Sequence, residues 1–329
     1  KINKNSPVYI IAEAGVNHNG SLLKAKKLID IAVKAKADAI KFQTFKAENI
    51  IIPKGPKAKY HIETTGSNKS LSWFKLLKSQ ELSIKMHKEL IRYCKKKKIT
   101  FLSTAYDEES ANLLNDLKIS AYKIASTDND NFPFISFLKK LNKPIILSTG
   151  ASDVWEIERA LSWITKHNSN IALLHCILNY PTMDENANLS RIKLLEKKFP
   201  NSILGYSDHT LPGDMENLIV ATLMGAVIIE KHFTHNKLLP GNDHYHAMDK
   251  SDANIFFNRI NRLKSILGEP SLTSYSFERN SKKNARRSLV ANKIIDKGQK
   301  LSKDCITWKR PATGIPPSDI NIVLGAVAK

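Results

Sequence analysis

Short apolar segments alternate along the chain with longer segments whose apolar positions recur at helical spacing. In residues 22–35, Leu22, Ala25, Leu28, Ile29 and Ala32 fall on one helical face, while lysines occupy the other. The short segments are almost continuously apolar and cover residues 8–15, 39–44, 99–104, 121–126, 144–150, 171–176, 203–209 and 227–233. Such strands, each followed by an amphipathic helix, are typical of a parallel sheet covered by helices. Eight of these units predict an α/β protein with a closed TIM (β/α)8 barrel.

The length of the chain leaves room for a second domain after the barrel. A chain of 329 residues accommodates one domain of about 250 residues and one small domain. We expect the barrel to occupy residues 1–275 and the polar segment 276–284 to act as a linker. Residues 285–329 would then form the second domain, which is too short to bury a large apolar core.

A TIM barrel carries its catalytic groups at the carboxyl ends of its strands. Two consecutive predicted strands, in "GYSDHT" and "VIIEKHF", lead to His209 and His232. Other polar side chains end the remaining strands or follow them closely: Glu13, Asn17, His18, Lys41, Gln43, Lys123, Ser126, Ser148, His175, Tyr180, Ser207, Asp208, Glu230 and Lys231. Any one of them could be structural. Their joint position at one end of one barrel predicts an active-site rim.

The imidazoles of His209 and His232 are suitable ligands for a divalent ion, with substrate and water in the remaining positions. A pair of hydrogen-bonded core histidines is the alternative. The lysines and serines of the rim favour the functional interpretation, because ammonium and hydroxyl groups together can hold a phosphate and a carboxylate. The sequence contains no GxxxxGK[ST] or GxGxxG pattern, so we do not expect a nucleotide.

Two further segments bear on the site. Residues 46–81 form an insertion that is too long for an ordinary loop, and we expect a lid or a substrate-facing loop there. After the eighth strand, residues 240–249 contain Asp243, His244 and His246. Two histidines at a spacing of two without cysteine are weak evidence of a zinc site. We predict instead that Asp243 contacts substrate hydroxyl groups.

The chain is strongly basic, with 51 Lys and Arg against 31 Asp and Glu and a net charge of +20. Such a charge can mark a nucleic-acid or anionic-surface partner. The lysines are scattered over predicted helix faces and accompany no recognisable nucleic-acid motif. A solvated surface is therefore the favoured interpretation, and we expect no nucleic-acid partner. A basic field still favours an anionic small substrate.

The cysteines and the apolar runs indicate the compartment. Cys94, Cys176 and Cys305 are odd in number and far apart, which favours a reducing environment. No apolar run reaches the roughly 20 residues that span a bilayer, and residues 1–15 lack the apolar region of a signal peptide. We therefore expect a cytoplasmic protein with no membrane partner.

Several stretches resemble the N-acetylneuraminate (sialic acid) synthases and their legionaminic and pseudaminic acid relatives. They are "IAEAGVNHNGSL", "ADAIKFQTFKAENI", "FLSTAYDEESANLL", "YKIAS", "KPIILSTGAS", "LLHC" with "YPT", "LGYSDHT", "GAVIIEKHFT" and "LPGNDH". Residues 285–315 resemble the small, β-rich antifreeze-like (SAF) domain of the same family. The resemblance covers essentially the whole chain, with both domains in order.

The resemblance implies a transferase that condenses phosphoenolpyruvate with an N-acetylated mannosamine-type sugar and releases phosphate. It implies a divalent ion on His209 and His232, usually Mn²⁺ with Mg²⁺ or Co²⁺ as alternatives, and a domain-swapped homodimer. By resemblance, phosphoenolpyruvate contacts Lys41, Lys123, Ser126, Ser148 and Ser207. Glu13, Gln43, Tyr180 and Asp243 face the sugar or organise the site, and either Arg286 or Arg287 reaches the N-acetyl group. The catalytic residues implied are Glu13, Lys41, Lys123 and Asp128.

Two positions depart from the family pattern. Asp128 stands in "KIASTD" where many relatives have a glutamate that handles the attacking water, so the shorter side chain requires a shifted water. Leu178 stands where some sialic acid synthases have an asparagine near the phosphate, with Asn179 beside it. Both changes leave the acceptor open among the precursors of sialic, legionaminic and pseudaminic acids.

Two other functions stay open on the sequence. A Schiff-base aldolase would use Lys123 or Lys41 as its nucleophile. A nucleic-acid or surface-binding protein would use the barrel only as a scaffold, and the net charge is its sole support.

Overall fold

The barrel predicted from the apolar segments is present. The computed structural model describes residues 2–57, 62, 72–165, 171–241, 243–268 and 271–329. Eight parallel strands close in chain order: β1 Tyr9–Gly15, β2 Ala39–Thr44, β3 Thr100–Ala105, β4 Tyr122–Ile124, β5 Ile145–Ser148, β6 Ile171–Cys176, β7 Ile203–Asp208 and β8 Ile228–His232. Each strand lies within two residues of its predicted bounds, and β1 pairs with β8 to complete the ring. The TIM-barrel prediction is confirmed.

Helices follow the strands and cover the outside of the barrel. The first, Leu22–Lys34, buries Ala25, Leu28 and Ile29 and begins at Ser21, whose side chain accepts from the Lys24 amide. The others are Ala47–Ile50, Trp73–Gln80, Ile84–Lys97, Glu108–Asp116, Phe132–Lys140, Val154–Thr165, Arg191–Lys198, Glu216–Leu223 and Lys250–Leu267. The apolar face of each long helix therefore covers the sheet, as the helical spacing predicts.

The strands bury side chains on both faces, which explains why their sequences are almost continuously apolar. Ile10, Ala12 and Ala14 of β1 belong to the large cluster between sheet and helices. Ile11 belongs to a second, smaller cluster inside the barrel, together with Leu102, Ile146, Leu174 and Ile228 from other strands. Alternate residues of each strand therefore face the interior, and this alternation determines which polar residues reach the site.

The chain divides into two compact units, Lys1–Lys264 and Ser265–Lys329. In the second unit, β9 (Ser288–Ala291) and β10 (Ile306–Lys309) pair antiparallel, with Ile306 opposite Ala291. This sheet lies where the small β-rich domain was predicted. The segment 276–284, which we expect to link the domains, contains the 3₁₀ turn Ser276–Glu278 and most of the short helix Arg279–Ala285.

Two further observations concern the whole described chain. Over the residues given above, no helix is both long and apolar enough to cross a membrane. Cys94, Cys176 and Cys305 are all free and buried.

Three buried histidines of the barrel unit indicate that the stability of the fold decreases at acidic pH. The ring of His18 accepts from the Gly20 amide at 3.0 Å, His87 contacts the Thr44 hydroxyl at 2.8 Å, and His175 contacts the Ala187 carbonyl at 2.7 Å. Burial lowers the pKa of all three, that of His18 to about 4. Between pH 6.5 and pH 4 the unfolded chain therefore binds protons that the folded chain excludes.

We expect the free energy of unfolding to fall as the pH is lowered through this range. His18 alone should contribute roughly 3 kcal/mol to the loss by pH 4. Urea unfolding followed by tryptophan fluorescence at pH 7, 6, 5 and 4 measures the free energy of unfolding. In His18→Asn this free energy should fall less steeply with decreasing pH than in the parent. An identical slope in parent and variant would refute the assignment of a neutral His18.

Candidate active site

A cavity of about 680 Å³ opens at the carboxyl ends of the strands. This volume lies within the range typical of small-molecule sites. All twelve barrel residues to which the sequence assigns a role line it: Glu13, Lys41, Gln43, Lys123, Ser126, Asp128, Ser148, Tyr180, Ser207, His209, His232 and Asp243. Arg286 and Arg287 belong to the second unit, where both are exposed, and their contact with a sugar stays a prediction.

The alternation of side chains explains which rim residues reach the cavity. Glu230 and His232 share the interior face of β8 with Ile228, whereas Lys231 points the opposite way. Lys231 is buried against Asp208 and the Thr210 carbonyl oxygen, outside the cavity. His175 also points away from the barrel interior, and its ring stacks on that of Tyr206 with the centroids 5.6 Å apart. The sequence places His175, Asp208 and Lys231 on the rim, but their contacts are structural.

Two lysines and two glutamates form a buried charge cluster in the cavity. The Lys41 Nζ lies 2.7 Å from Glu13 Oε2 and 3.7 Å from Glu230 Oε1, and the Lys123 Nζ lies 3.5 Å from the same Glu230 oxygen. All four side chains are no more than 6% exposed. Removing one member would leave an uncompensated buried charge, which is strongly unfavourable.

The pKa values in this cluster differ from those of free side chains. Burial opposes ionisation of Glu230, but Lys123 and Lys41 outweigh it and lower the pKa of that carboxyl. Burial also acts to lower the pKa of Lys41, yet Glu13 and Glu230 outweigh it and raise that pKa. Burial lowers the pKa of Lys123 and raises that of Glu13 to about 7. Glu13 and Glu230 therefore both favour the cationic form of Lys41.

Glu230 is a residue whose role the sequence left unassigned. Its Oε1 also accepts a hydrogen bond from the Ser207 hydroxyl at 3.0 Å, so one carboxylate contacts two lysines and a serine. The available signal was its spacing, since it lies two residues before His232 on the same face of the strand.

Hydroxyl and carboxyl groups line the side of the cavity near Lys123. The Ser126 Oγ accepts from the Gly150 amide at 2.9 Å. The Ser148 Oγ is buried and has no hydrogen-bond partner among the described residues. Asp128 lies on a 3₁₀ turn, where Asn131 donates to its Oδ1 at 2.9 Å, and burial raises the pKa of its carboxyl. These groups leave hydrogen-bonding capacity for a ligand.

The imidazoles of His209 and His232 are neighbours, with ring centroids 5.5 Å apart. The His209 Nδ1 lies 2.7 Å from the Ile177 carbonyl oxygen, so it donates there and leaves Nε2 as a free lone pair. Burial, with His246 and His209 nearby, lowers the pKa of His232 well below its usual value. Burial opposes protonation of His209, but the neighbouring Cys176 outweighs it and raises the pKa of that imidazole. Imidazoles that are deprotonated offer lone pairs to a divalent ion, so the residues present fit such a group.

A group of three possible metal ligands overlaps this pair. One ligand atom each from His232, Asp243 and His246 lies within 4.8 Å of the others. The sequence gave the spacing of His244 and His246 little weight, and the structure separates the two residues. His244 contacts the Thr234 hydroxyl at 2.7 Å, while the His246 ring lies 4.8 Å from that of His232.

The remaining side of the cavity is apolar. We call Phe45, Ile50, Ile51, Trp73 and Leu77 the apolar wall. Apart from Phe45, these residues come from the two described ends of the insertion 46–81; residues 58–61 and 63–71 lie outside the description. The two described ends of the insertion therefore face the cavity, and their apolar side chains were not recognised as a site feature in the sequence.

Comparisons with known proteins agree with this geometry. Residues 28–271 match the NeuB family and residues 286–329 match the SAF domain. The chain is 41% identical over 322 residues to the N,N'-diacetyllegionaminic acid synthase of Campylobacter jejuni, covering 97% of this chain and 95% of that protein. It is 28% identical over 320 residues to the N-acetylneuraminate-9-phosphate synthase of Homo sapiens, covering 97% and 88%.

Solved structures show the same likeness. The N-acetylneuraminic acid synthetase of Leptospira borgpetersenii, in complex with citrate, superposes with a TM-score of 0.72 at 35% identity, over 84% of this chain and 90% of that one. The family match spans most of the barrel, and the second match begins where the small domain was predicted. This chain therefore belongs to the NeuB family and ends in a SAF domain.

Proposed function

We propose that the protein condenses phosphoenolpyruvate with the open-chain aldehyde of an N-acylated amino sugar, giving a nine-carbon 2-keto acid and phosphate. The observation that carries the proposal is the pair of buried lysines, Lys41 and Lys123, in one cavity with the His209 and His232 imidazoles. Relatives named as synthases of legionaminic acid and of N-acetylneuraminate 9-phosphate support the same class of reaction.

Lys41 and Lys123 supply the positive charge for phosphoenolpyruvate. Both side chains are buried and largely shielded from solvent, so the attraction of their ammonium groups for an anion is stronger than it would be in water. Ser148 has an unpartnered buried hydroxyl, which can donate to a substrate oxygen without adding charge. Ser126 lies in the same cavity and accepts from the Gly150 amide, which leaves its hydroxyl hydrogen for the substrate. Ser207 also lies there and donates to Glu230, a bond that it would exchange for one to phosphoenolpyruvate.

The carbonyl end of the sugar is assigned to the imidazole side of the cavity. A divalent ion held by His209 and His232, for which we propose Mn²⁺, would polarise the aldehyde carbonyl. The Gln43 amide donates to Glu13 at 3.3 Å, which orients that carboxyl towards the cavity. With a pKa near 7, Glu13 is suited to give a proton to the aldehyde oxygen.

The covalent steps balance with water as the second nucleophile. C3 of phosphoenolpyruvate attacks the aldehyde carbon, forming the new C–C bond, and the aldehyde oxygen gains a proton. Water then adds to C2 and loses a proton to Asp128, whose carboxyl is held by Asn131. The bond between C2 and the phosphate oxygen then breaks as the C2 hydroxyl loses its proton, which leaves the 2-keto acid. The departing phosphate takes up the proton that Asp128 received, and the hydroxyl proton replaces, through solvent, the one given to the aldehyde oxygen.

The apolar wall favours a neutral acceptor with apolar substituents. Ile50, Ile51, Trp73 and Leu77 offer methyl and ring surfaces, which suit acetamido methyl groups and a deoxygenated terminal carbon. Among the described lining residues, the ammonium groups are those of Lys41 and Lys123, and the proposal assigns both to phosphoenolpyruvate. We therefore favour a diacetamido trideoxy sugar, the legionaminic-type alternative, over N-acetylmannosamine or its 6-phosphate.

We also propose that the second unit supplies Arg286 or Arg287 to the N-acetyl group, across a domain-swapped homodimer. The support is the family membership together with the exposure of both side chains. We also propose a cytoplasmic location. The support is that the three cysteines are free, as is usual in a reducing compartment.

Purified protein with phosphoenolpyruvate, Mn²⁺ and a panel of N-acylated sugars should release one phosphate for each sugar condensed. His209→Ala and His232→Ala should each lower kcat/KM by at least about a hundredfold, since Lewis-acid polarisation supplies several kcal/mol. His235→Ala, outside the cavity lining, is the control. EDTA should inhibit, and borohydride with pyruvate should leave no adduct. A trapped adduct on Lys123 would establish the Schiff-base aldolase instead.

The acceptor proposal predicts a ranking of substrates. We expect kcat/KM for 2,4-diacetamido-2,4,6-trideoxymannose to exceed that for N-acetylmannosamine and its 6-phosphate by at least about tenfold. Trp73→Ala should narrow this ratio, whereas Trp155→Ala, half-exposed on the outer helix Val154–Thr165, should leave it unchanged. A preference for the 6-phosphate would contradict the proposed role of the apolar wall.

The arginine proposal predicts an effect confined to the sugar. Arg286→Ala combined with Arg287→Ala should raise the KM of the sugar about tenfold or more, with little change in the KM of phosphoenolpyruvate. Lys282→Ala with Lys283→Ala removes equal charge nearby and is the matched control. Mixing the arginine variant with Lys123→Met should recover activity if the domains are exchanged. If the two double variants raise the KM of the sugar equally, the arginines act only through their positive charge and do not contact the N-acetyl group.

A further inference from the structure

We infer that His246 is a third imidazole ligand of the divalent ion, acting with His232 and Asp243 on one side of the cavity. The inference rests on the proposed function in one respect, which is that a divalent ion binds beside His232. It extends that proposal by adding a residue of this chain to the expected pair and by changing the predicted metal preference.

The separations within the trio suit coordination better than hydrogen bonding. The His232 Nδ1 lies 3.6 Å from Asp243 Oδ2, which is too long for a hydrogen bond. Two ligand atoms that each lie about 2.0–2.2 Å from one ion are roughly 3.0–3.5 Å apart. One ligand atom of His246 lies within 4.8 Å of both, so the three atoms surround one point once the His246 ring moves closer to the other two.

Among the described residues, His246 forms no hydrogen bond that explains its position. Its side chain is fully buried, and neither ring nitrogen has a hydrogen-bond partner in the described parts of the chain. The His232 Nδ1 is buried and unpartnered in the same way. A buried polar atom without a partner is unfavourable, so these nitrogens point to a ligand.

His244, two residues earlier on the same loop, provides an internal comparison. Its Nδ1 contacts the Thr234 hydroxyl at 2.7 Å, and its ring neighbour is His235 at 6.3 Å. His246 instead has the rings of His232 at 4.8 Å and Tyr180 at 5.5 Å as neighbours. One histidine of the loop therefore stabilises the loop, and the other faces the imidazoles of the site.

The consequence concerns which ion the site holds best. Nitrogen-rich ligand sets suit Co²⁺ and Zn²⁺, whereas Mn²⁺ and Mg²⁺ favour carboxylate, carbonyl and water oxygens. If His246 binds the ion, its removal should weaken Co²⁺ binding more than Mn²⁺ binding. A purely structural His246 would leave the affinities for both ions unchanged.

The test is a titration of the metal-free full-length protein with Co²⁺ and, separately, with Mn²⁺. Calorimetry gives the Kd, and the visible absorption of bound Co²⁺ reports its ligand set without reference to activity. His246→Phe keeps a ring of similar size and removes both nitrogens, and His246→Ala is the second variant. His235→Phe is the control for a nearby histidine, and circular dichroism checks that each variant is folded.

We expect both His246 variants to raise the Kd of Co²⁺ by at least about tenfold and to change the Co²⁺ spectrum, with His235→Phe like the parent. If the parent binds Co²⁺ and turns over substrate while the His246 variants bind with unchanged Kd and spectrum, the inference fails and the proposed function stands. If the parent binds neither ion, the metal dependence of the proposed function fails as well.

Discussion

Closure of eight parallel strands is the constraint on which the rest of the structure depends. In a closed barrel every strand presents alternate side chains to one shared interior, and the last interior residue of each strand reaches the same end. Ile11 is followed two residues later by Glu13, and Ile228 is followed by Glu230 and then His232. Apolar residues therefore fill the barrel, and the polar residues that follow them converge at its mouth.

Convergence places charges where water is scarce, and this determines what the site can do. Lys41, Lys123, Glu13 and Glu230 are buried together, an arrangement that contributes little net stability compared with an apolar core. The same desolvation strengthens the attraction between the lysines and an incoming anion. A charge cluster of this kind is therefore better explained by anion binding than by folding. The imidazoles and the apolar wall line the remaining space, which the proposed function assigns to an ion and a neutral sugar.

The sequence predicted the strands well, because a strand buried on both faces is apolar at nearly every position. It also predicted which residues line the cavity, since strand ends in a barrel share one location. The apolar run of this strand gives no face preference, so Glu230 could be separated from Lys231 only through its two-residue spacing from His232. The sequence gave little weight to His246 and none to Trp73, for another reason. Both come from loops or insertions, where no periodicity indicates the direction of a side chain.

The central claim is that the mouth of the barrel holds an enol phosphate and a metal ion side by side. A crystal structure of the protein with phosphoenolpyruvate and Mn²⁺, with the ion located by anomalous diffraction, tests it most directly. The account predicts phosphoenolpyruvate within hydrogen-bond distance of Lys41 and Lys123, and the ion in contact with His232. Phosphoenolpyruvate bound away from these lysines, or an ion bound away from the His232 ring, would contradict it.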